Sequence, residues 1–335
     1  MSTHTKTRID ADQWMAGLVT LDAIREAASR IKPIARVTPL VDVSRAAGRP
    51  LFLKCENLQP AGAFKIRGAY NMVAQLTPDQ RARGVITFSS GNHGQAMALA
   101  ARELGAPAVV VMPTTAPKIK VDGARSYGAE VIFAGTTSAD RRQRAEAEAA
   151  ARGLTMVPPF DHEWIIAGQG TAGLEILEQR PDVAAVLAPI GGGGLAAGVA
   201  AAVKQANPRV KVVGVEPEGA AAMKVSIDAG QPVTLPKTET IADGLMPVRP
   251  GDLTFAHVRH FADAVITVDD GSIADAVLWI FSNAKMVAEP SGAATLAAVL
   301  SGALDAALRV DGPIVAIVSG GNMAAERLAE LRSKK

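Results

Sequence analysis

The chain has 335 residues, 48% of them hydrophobic, with 35 basic and 33 acidic side chains that leave a net charge of +2. That length supports two domains of ordinary size around a large core, and the mixed, nearly neutral charge excludes a nucleic-acid groove or a polybasic membrane patch, so a small molecule is the expected partner. Cys55 is the single cysteine, which rules out an intrachain disulfide and points to a reducing compartment, the cytoplasm.

The opening residues, MSTHTKTRIDADQW, are polar, lack the apolar centre of a signal peptide and read as a tail before the fold. Residues 21–56, with TPLVDV and LFLKCE, are assigned to a larger lobe. The stretch AGAFKIRGAY (61–70) then places Lys65 where a loop turns into a helix. A helix N-terminus carries partial positive charge and favours the neutral amine, the form that reacts with a carbonyl. The plain alternative is a solvated lysine whose stem covers apolar surface.

Next come three short apolar runs, VITFSS (85–90), PAVVVMP (107–113) and AEVIFAG (129–135), each followed by an alanine-rich amphipathic stretch. They predict a small three-layer unit with a parallel sheet. A second series begins at Ile165–Gly168, with strands expected over 182–190, 210–217, 263–270 and 313–321. Val183 to Val203 carry no charge over a length that could span a bilayer, but Pro189 and Gly191–Gly194 interrupt them, so a strand, a loop and a helix are expected. The fold class is therefore α/β, with two lobes that each hold a mainly parallel sheet flanked by helices. The large lobe takes residues 1–75 and 156–335, the small inserted lobe 76–155, and ligands belong in the cleft between them at the carboxyl ends of the strands.

Three loops stand at such ends. PIGGGGLAAG offers the backbone N–H groups of Gly191, Gly192, Gly193 and Gly194 to an anion at a helix start. The same residues admit a plain tight turn, or a dinucleotide fingerprint from Gly191, Gly193 and Ala196 with Glu216 as the ribose acid, so an NAD-dependent oxidoreductase is a competing reading. SSGNHGQA (89–96) gathers hydroxyls, an amide, an imidazole and free helix N–H groups, which suits a carboxylate or a phenolic oxygen. SGGN (319–322) presents Ser319.

The ordered set FKIRGAYN, SSGNHGQA, IAGQGTAGLEIL, PIGGGGL, ETIADG, EPSGAA and SGGN resembles the type II pyridoxal-phosphate enzymes of the threonine and serine dehydratase group, which includes serine racemase. The resemblance implies pyridoxal 5'-phosphate held by Lys65 as a Schiff base, with Phe64 beside the ring, Gly191 to Gly194 around the phosphate, Asn92 on the ring hydroxyl and Ser319 on the pyridine nitrogen. Ser89, Ser90, Gly91 and His93 would receive the substrate carboxylate. A neutral hydroxyl on the pyridine nitrogen makes a weak electron sink and favours prompt loss of a β leaving group. The implied activity is an ammonia-lyase that eliminates water from L-threonine or L-serine, giving a 2-oxo acid and ammonia, in a homodimer or homotetramer. The family also suggests that the cofactor phosphate protonates the departing hydroxyl.

Racemisation is the nearest alternative, with Ser90 as the second acid or base opposite Lys65; phenylserine and 3-hydroxyaspartate are alternative substrates. For the latter, Arg141 would meet the second carboxylate, although it reads first as a solvated residue of an arginine-rich helix. Where the family has two hydroxyl residues this chain has Ala61 and Ala63, and Glu216 is followed six residues on by Ala222 rather than an aspartate, so no essential metal is expected. No isoleucine-type regulatory domain is expected either.

Overall fold

The apolar runs form two separate sheets in the computed structural model of the chain, which describes residues 17–89, 91–116 and 118–333. Ten strands occur in chain order: β1 (Leu40–Asp42), β2 (Leu51–Lys54), β3 (Val85–Phe88), β4 (Ala108–Met112), β5 (Glu130–Phe133), β6 (Thr155–Met156), β7 (Ala185–Pro189), β8 (Lys211–Pro217), β9 (Ala264–Val268) and β10 (Ile314–Ile317). The larger sheet has the order β1-β2-β10-β7-β8-β9 and the smaller one β5-β4-β3-β6. All pairs are parallel except β1 with β2. β6 was not expected; its two residues are too few for an alternation pattern, and pairing with β3 alone defines it.

Every residue of β2, β4, β7 and β10 is buried, which is why these strands read as unbroken apolar runs. Helices cover both faces of such a sheet, and successive residues serve opposite sides. Leu53, Leu187 and Val213 pack on one face of the large sheet, Phe52, Val186 and Val212 on the other. Cys55, just after β2, is fully buried; its Sγ lies 3.3 Å from the Leu53 carbonyl, and loss of water pushes the thiol up to about 12. The uncharged run at 183–203 is strand, glycine loop and helix, and among the described residues no helix is long and apolar enough to cross a membrane.

The lobes meet through the helices Lys65–Val73 and Glu163–Gln179. A Cβ on Gly168 would lie 2.6 Å from the Cα of Gly68, so the two backbones touch and a side chain at either glycine would separate them. Ile66, Ala69 and Val73 of the first helix join Met97, Val110 and Met112 in the small sheet's core. The residue that opens this helix is thus fixed between the helix Glu163–Gln179 and the small sheet's core.

Candidate active site

That opening residue is Lys65. The loop before it is tied to the end of β10 by main chain: Phe64 N–H donates to Ser319 O at 3.1 Å, Gly321 N–H to Gly62 O at 2.9 Å, and Ala63 bridges Gly320. Asn322 Nδ2 adds a bond to Ala61 O at 2.7 Å. Backbone bonds therefore pin the loop where Ala61 and Ala63 lack hydroxyls. Two residues into the helix, fully buried Arg67 donates to Glu56 (2.7 and 2.8 Å) and Glu175 (2.6 and 2.8 Å). Lys54 donates to Glu175 at 2.5 Å, so two cations meet two carboxylates and each of these four charges has a partner. At 3.6 residues per turn, Arg67 points about 200° away from Lys65 and holds the helix from behind.

The half-buried Lys65 ammonium lies 5.0 Å from the Phe64 ring centre and donates to Pro159 O at 2.8 Å. Burial pulls its pKa down to about 8, so a neutral fraction exists near neutrality. Pro159 belongs to a strap, residues 157–161, that touches Lys65, His93, the glycine loop and the start of the helix Asp252–Phe261. Val157 O accepts from His93 Nε2 at 3.1 Å and from Thr87 Oγ1 at 2.7 Å. Phe160 covers the glycine loop, its ring filling the place where a Gly192 Cβ would stand. Asp161 accepts from the N–H groups of Asp252 and Leu253 (both 3.0 Å) and caps the helix Asp252–Phe261.

Gly191 to Gly194 have no room for side chains. Besides Phe160, the Gly244 carbonyl and Leu245 crowd Gly191, and Thr254 and Met223 crowd Gly193, whose φ is 96°. Thr254 Oγ1 donates to Gly192 O at 2.6 Å, which orients the loop's peptides. The helix Gly194–Ala206 begins there, adding its dipole to unshared N–H groups.

Across the cleft, Asn92 opens the helix Asn92–Glu103 after β3. Its Nδ2 donates to Glu289 Oε1 at 2.5 Å and its Oδ1 accepts from Asn322 Nδ2 at 2.9 Å, leaving one Nδ2 hydrogen for a ligand oxygen. Glu289 is 3% exposed and burial raises its pKa to about 7. Ser89 Oγ accepts from Gly91 N–H at 3.2 Å. Burial, with the Lys65 charge nearby, drives the His93 pKa down to about 3, so the ring is neutral. A carbonyl only accepts, so Nε2 carries the proton given to Val157; Nδ1 is buried without a partner, and His93 has no N–H for a carboxylate. The helix's own first N–H groups are the donors left for that anion. Ser319 is buried, and its hydroxyl makes only a long 3.4 Å contact with Ser291 O, so it can turn toward a ring nitrogen. Ser90 and the N-terminal tail lie outside the described residues.

Two expectations are corrected. Arg141 is not solvated: it is 8% exposed, donates to Thr136 O (3.3 Å) and Ser138 Oγ (2.8 Å), and keeps a buried Nε without a partner. It shares with Ala145 the buried face of its helix, an i, i+4 pair that the arginine-rich surroundings obscured. Glu216 does not serve as a ribose acid. It is fully buried, and its carboxylate accepts from Met223 and Lys224 N–H at 2.8 Å each. Among the described residues, no group of three or more His, Cys, Asp or Glu stands together where it could hold a metal. Sequence reasoning missed the strap, Asp161, Thr254 and Glu289. Of these only Glu289 had a signal, an acid directly before Pro-Ser-Gly at a helix start that does not cap it.

The pyridoxal-phosphate dependent enzyme family matches residues 31–320. The chain belongs to that family. It is 44% identical over 310 residues to the L-threonine ammonia-lyase of Thermotoga maritima, covering 91% of this chain and 76% of that one. It is 43% identical over 308 residues to serine racemase of Oryza sativa, covering 90% of this chain and 91% of that one. Among solved structures, maize serine racemase superposes with a TM-score of 0.90 at 42% identity, covering 94% and 97% of the two chains. The T.th. threonine deaminase gives 0.86 at 40% identity, covering 91% and 99%. A family member needs an amine for an aldehyde and a cradle for a phosphate, and this one has both: a lysine with a lowered pKa, and beside it a loop whose four glycines are held side-chain-free by Phe160, Leu245, Thr254 and Met223. The residues present fit pyridoxal phosphate.

Proposed function

We infer that the chain is a pyridoxal-phosphate dependent ammonia-lyase that eliminates water from a β-hydroxy L-amino acid, L-threonine or L-serine first, releasing a 2-oxo acid and ammonia. The observation that carries this reading is the strap. One segment binds the Lys65 amine at Pro159, covers the phosphate cradle with Phe160 and holds His93 of the carboxylate loop at Val157.

When bound, the cofactor supplies an aldehyde and an electron sink that makes the Cα–H of an amino acid acidic. Lys65 Nζ would hold the cofactor and then, freed, take the Cα proton; a pKa of about 8 suits that exchange. Gly191, Gly192, Gly193 and Gly194 would bind the phosphate, Asn92 the ring hydroxyl, Ser319 the ring nitrogen, and Phe64 would pack beside the ring. Ser89, Gly91 and the N–H groups behind Asn92 would take the substrate carboxylate, and neutral His93 would keep that loop in place. Purified protein should be yellow and release 2-oxo acid from L-threonine or L-serine. Lys65→Ala should lose the colour and at least about a thousandfold in rate. Wild-type silence on both substrates, on 3-phenylserine and on 3-hydroxyaspartate would sink the reading, and chiral analysis of the recovered amino acids would then test racemisation.

A second substrate reading has its own support. Arg141 is buried with no carboxylate within salt-bridge distance among the described residues, and its helix follows β5 at the same carboxyl end of the parallel small sheet as the β3 loop, two strands away. A dicarboxylate such as 3-hydroxyaspartate would supply the missing anion, and preference for it over threonine, lost in Arg141→Ala, tests this. We further place the lobe boundaries after residues 75 and 155, with β6 carrying the small sheet one residue past the second boundary, and the protein in the cytoplasm as a homodimer or homotetramer, which sedimentation would check.

A further inference from the structure

Lys120 lies on the helix Lys118–Ser126, which follows β4, and is 8% exposed. Its ammonium donates to the carboxylate of Asp243, on the short turn Asp243–Leu245 between the large-lobe helices Ala222–Ala229 and Asp252–Phe261. Each end of this pair rests on a ligand loop. On the small-sheet side, a Cβ added to Gly91 would stand 3.2 Å from Lys120 Nζ and 3.3 Å from its Cδ, so the lysine lies directly on that glycine. On the large-sheet side, the Gly244 carbonyl would stand 3.0 Å from a Cβ on Gly191, and Gly244 N–H donates to Ser291 Oγ at 2.8 Å. The turn that carries Asp243 therefore leans on the phosphate cradle.

The pair is lopsided, with 9% of the Lys120 side chain exposed against 51% for Asp243. A buried ammonium needs its one carboxylate more than the half-exposed carboxylate needs it. The buried Glu289 carboxylate also feels the Lys120 charge, but among the described residues no carboxylate other than that of Asp243 lies within salt-bridge distance of Lys120, so this contact holds the helix against the turn.

We propose that Lys120 and Asp243 form a clasp across the cleft that sets the spacing between the Gly91 loop and the glycine cradle, which makes Lys120 a positioning residue for the substrate carboxylate. The proposal rests on the dehydratase reading, since the clasp matters for turnover only if a ligand bridges the two loops. An open clasp leaves the amine and the cradle intact and misplaces the carboxylate site. The loss therefore falls on KM more than on kcat.

The test compares K120M, D243N, the double variant K120M/D243N and the reversed pair K120E/D243K. Each single change should raise KM for the amino acid by about tenfold, the size expected of residues in direct contact, with kcat changed by no more than about threefold. The double variant should be no worse than either single one, and the reversed pair should recover most of the loss. If D243N leaves KM unchanged or lowers it, or if the reversed pair stays as poor as K120M, the clasp is wrong; a lowered KM in D243N would mean that Lys120 meets the substrate itself. If the wild type releases no 2-oxo acid, the dehydratase reading falls, and amide hydrogen exchange still decides the clasp. The peptide carrying Gly91 and Asn92 should exchange faster in K120M and D243N alike while β8 is unchanged. Equal exchange in all variants overturns the proposal.

Discussion

The loops after β3 and β7 both end a central parallel strand and open a helix, yet they are built in opposite ways. In the β3 loop two side chains are fixed from a distance, Asn92 by Glu289 and Asn322 and His93 by Val157, around the helix N–H groups left for an anion. The β7 loop has no side chains at all, and its neighbours keep it so, with Phe160, Thr254 and Met223 filling the space a Cβ would need. A side-chain site can be retuned by changing a partner, whereas a backbone site tolerates nothing in its own sequence. Substrate choice should therefore vary at the β3 side of the cleft and cofactor binding should stay constant at the β7 side.

The sharpest way to break this contrast is Gly192→Ala. Its methyl would enter the Phe160 ring, and overpacking of about 1–3 kcal/mol should weaken pyridoxal-phosphate affinity roughly 5- to 150-fold in an absorbance titration. If Gly192→Ala binds the cofactor as the wild type does, the cradle is elsewhere. A pH effect comes next, on the β3 side. Burial raises the Glu289 pKa from 4.5 to about 7, so between those values the folded chain keeps a proton that the unfolded chain has lost. The stability from this group is full below 4.5 and is lost as pH rises through about 7. Glu289→Gln cannot titrate, so its melting temperature should fall less than that of the wild type between about pH 5 and pH 7.5. A residual slope of the same sign is expected from Glu216, which burial also raises to about 7. The smallest effect is Thr254→Val, which removes one bond to Gly192 O, worth about 0.5–1.5 kcal/mol, and should cost cofactor affinity only a few-fold. An effect as large as that of Gly192→Ala would mean that the loop is held by that hydroxyl and not by crowding.

Much of this was readable in the sequence, and for one reason. Parallel strands are short apolar runs, unbroken where buried as in β4, β7 and β10, and the residues after them carry the chemistry, so β3, β4, β5, β7, β8, β9 and β10 and the helix starts at Lys65, Asn92 and Gly194 could be placed by local pattern, although β5, at the sheet's edge, has exposed ends. The strap could not. Pro159 and Phe160 matter through Lys65, 94 residues away, and through Gly192, and no local pattern announces such contacts. The same holds for Glu289, whose partner Asn92 is 197 residues distant, and for the charge cluster behind Lys65, where Arg67 reaches Glu175 across 108 residues. Arg141 was misread for a different reason: composition of the whole helix outweighed the position of one residue on its buried face.

Cys55 gives the protein a built-in clock. As the chain's single thiol, fully buried beside β2 and pushed up to about 12, it is closed to a thiol-reactive dye while the large sheet is intact. Dye added to the native protein should therefore report only the moments when the sheet opens around β2. The labelling rate, with and without cofactor, would measure how firmly ligand binding locks that lobe, and no engineered probe is needed.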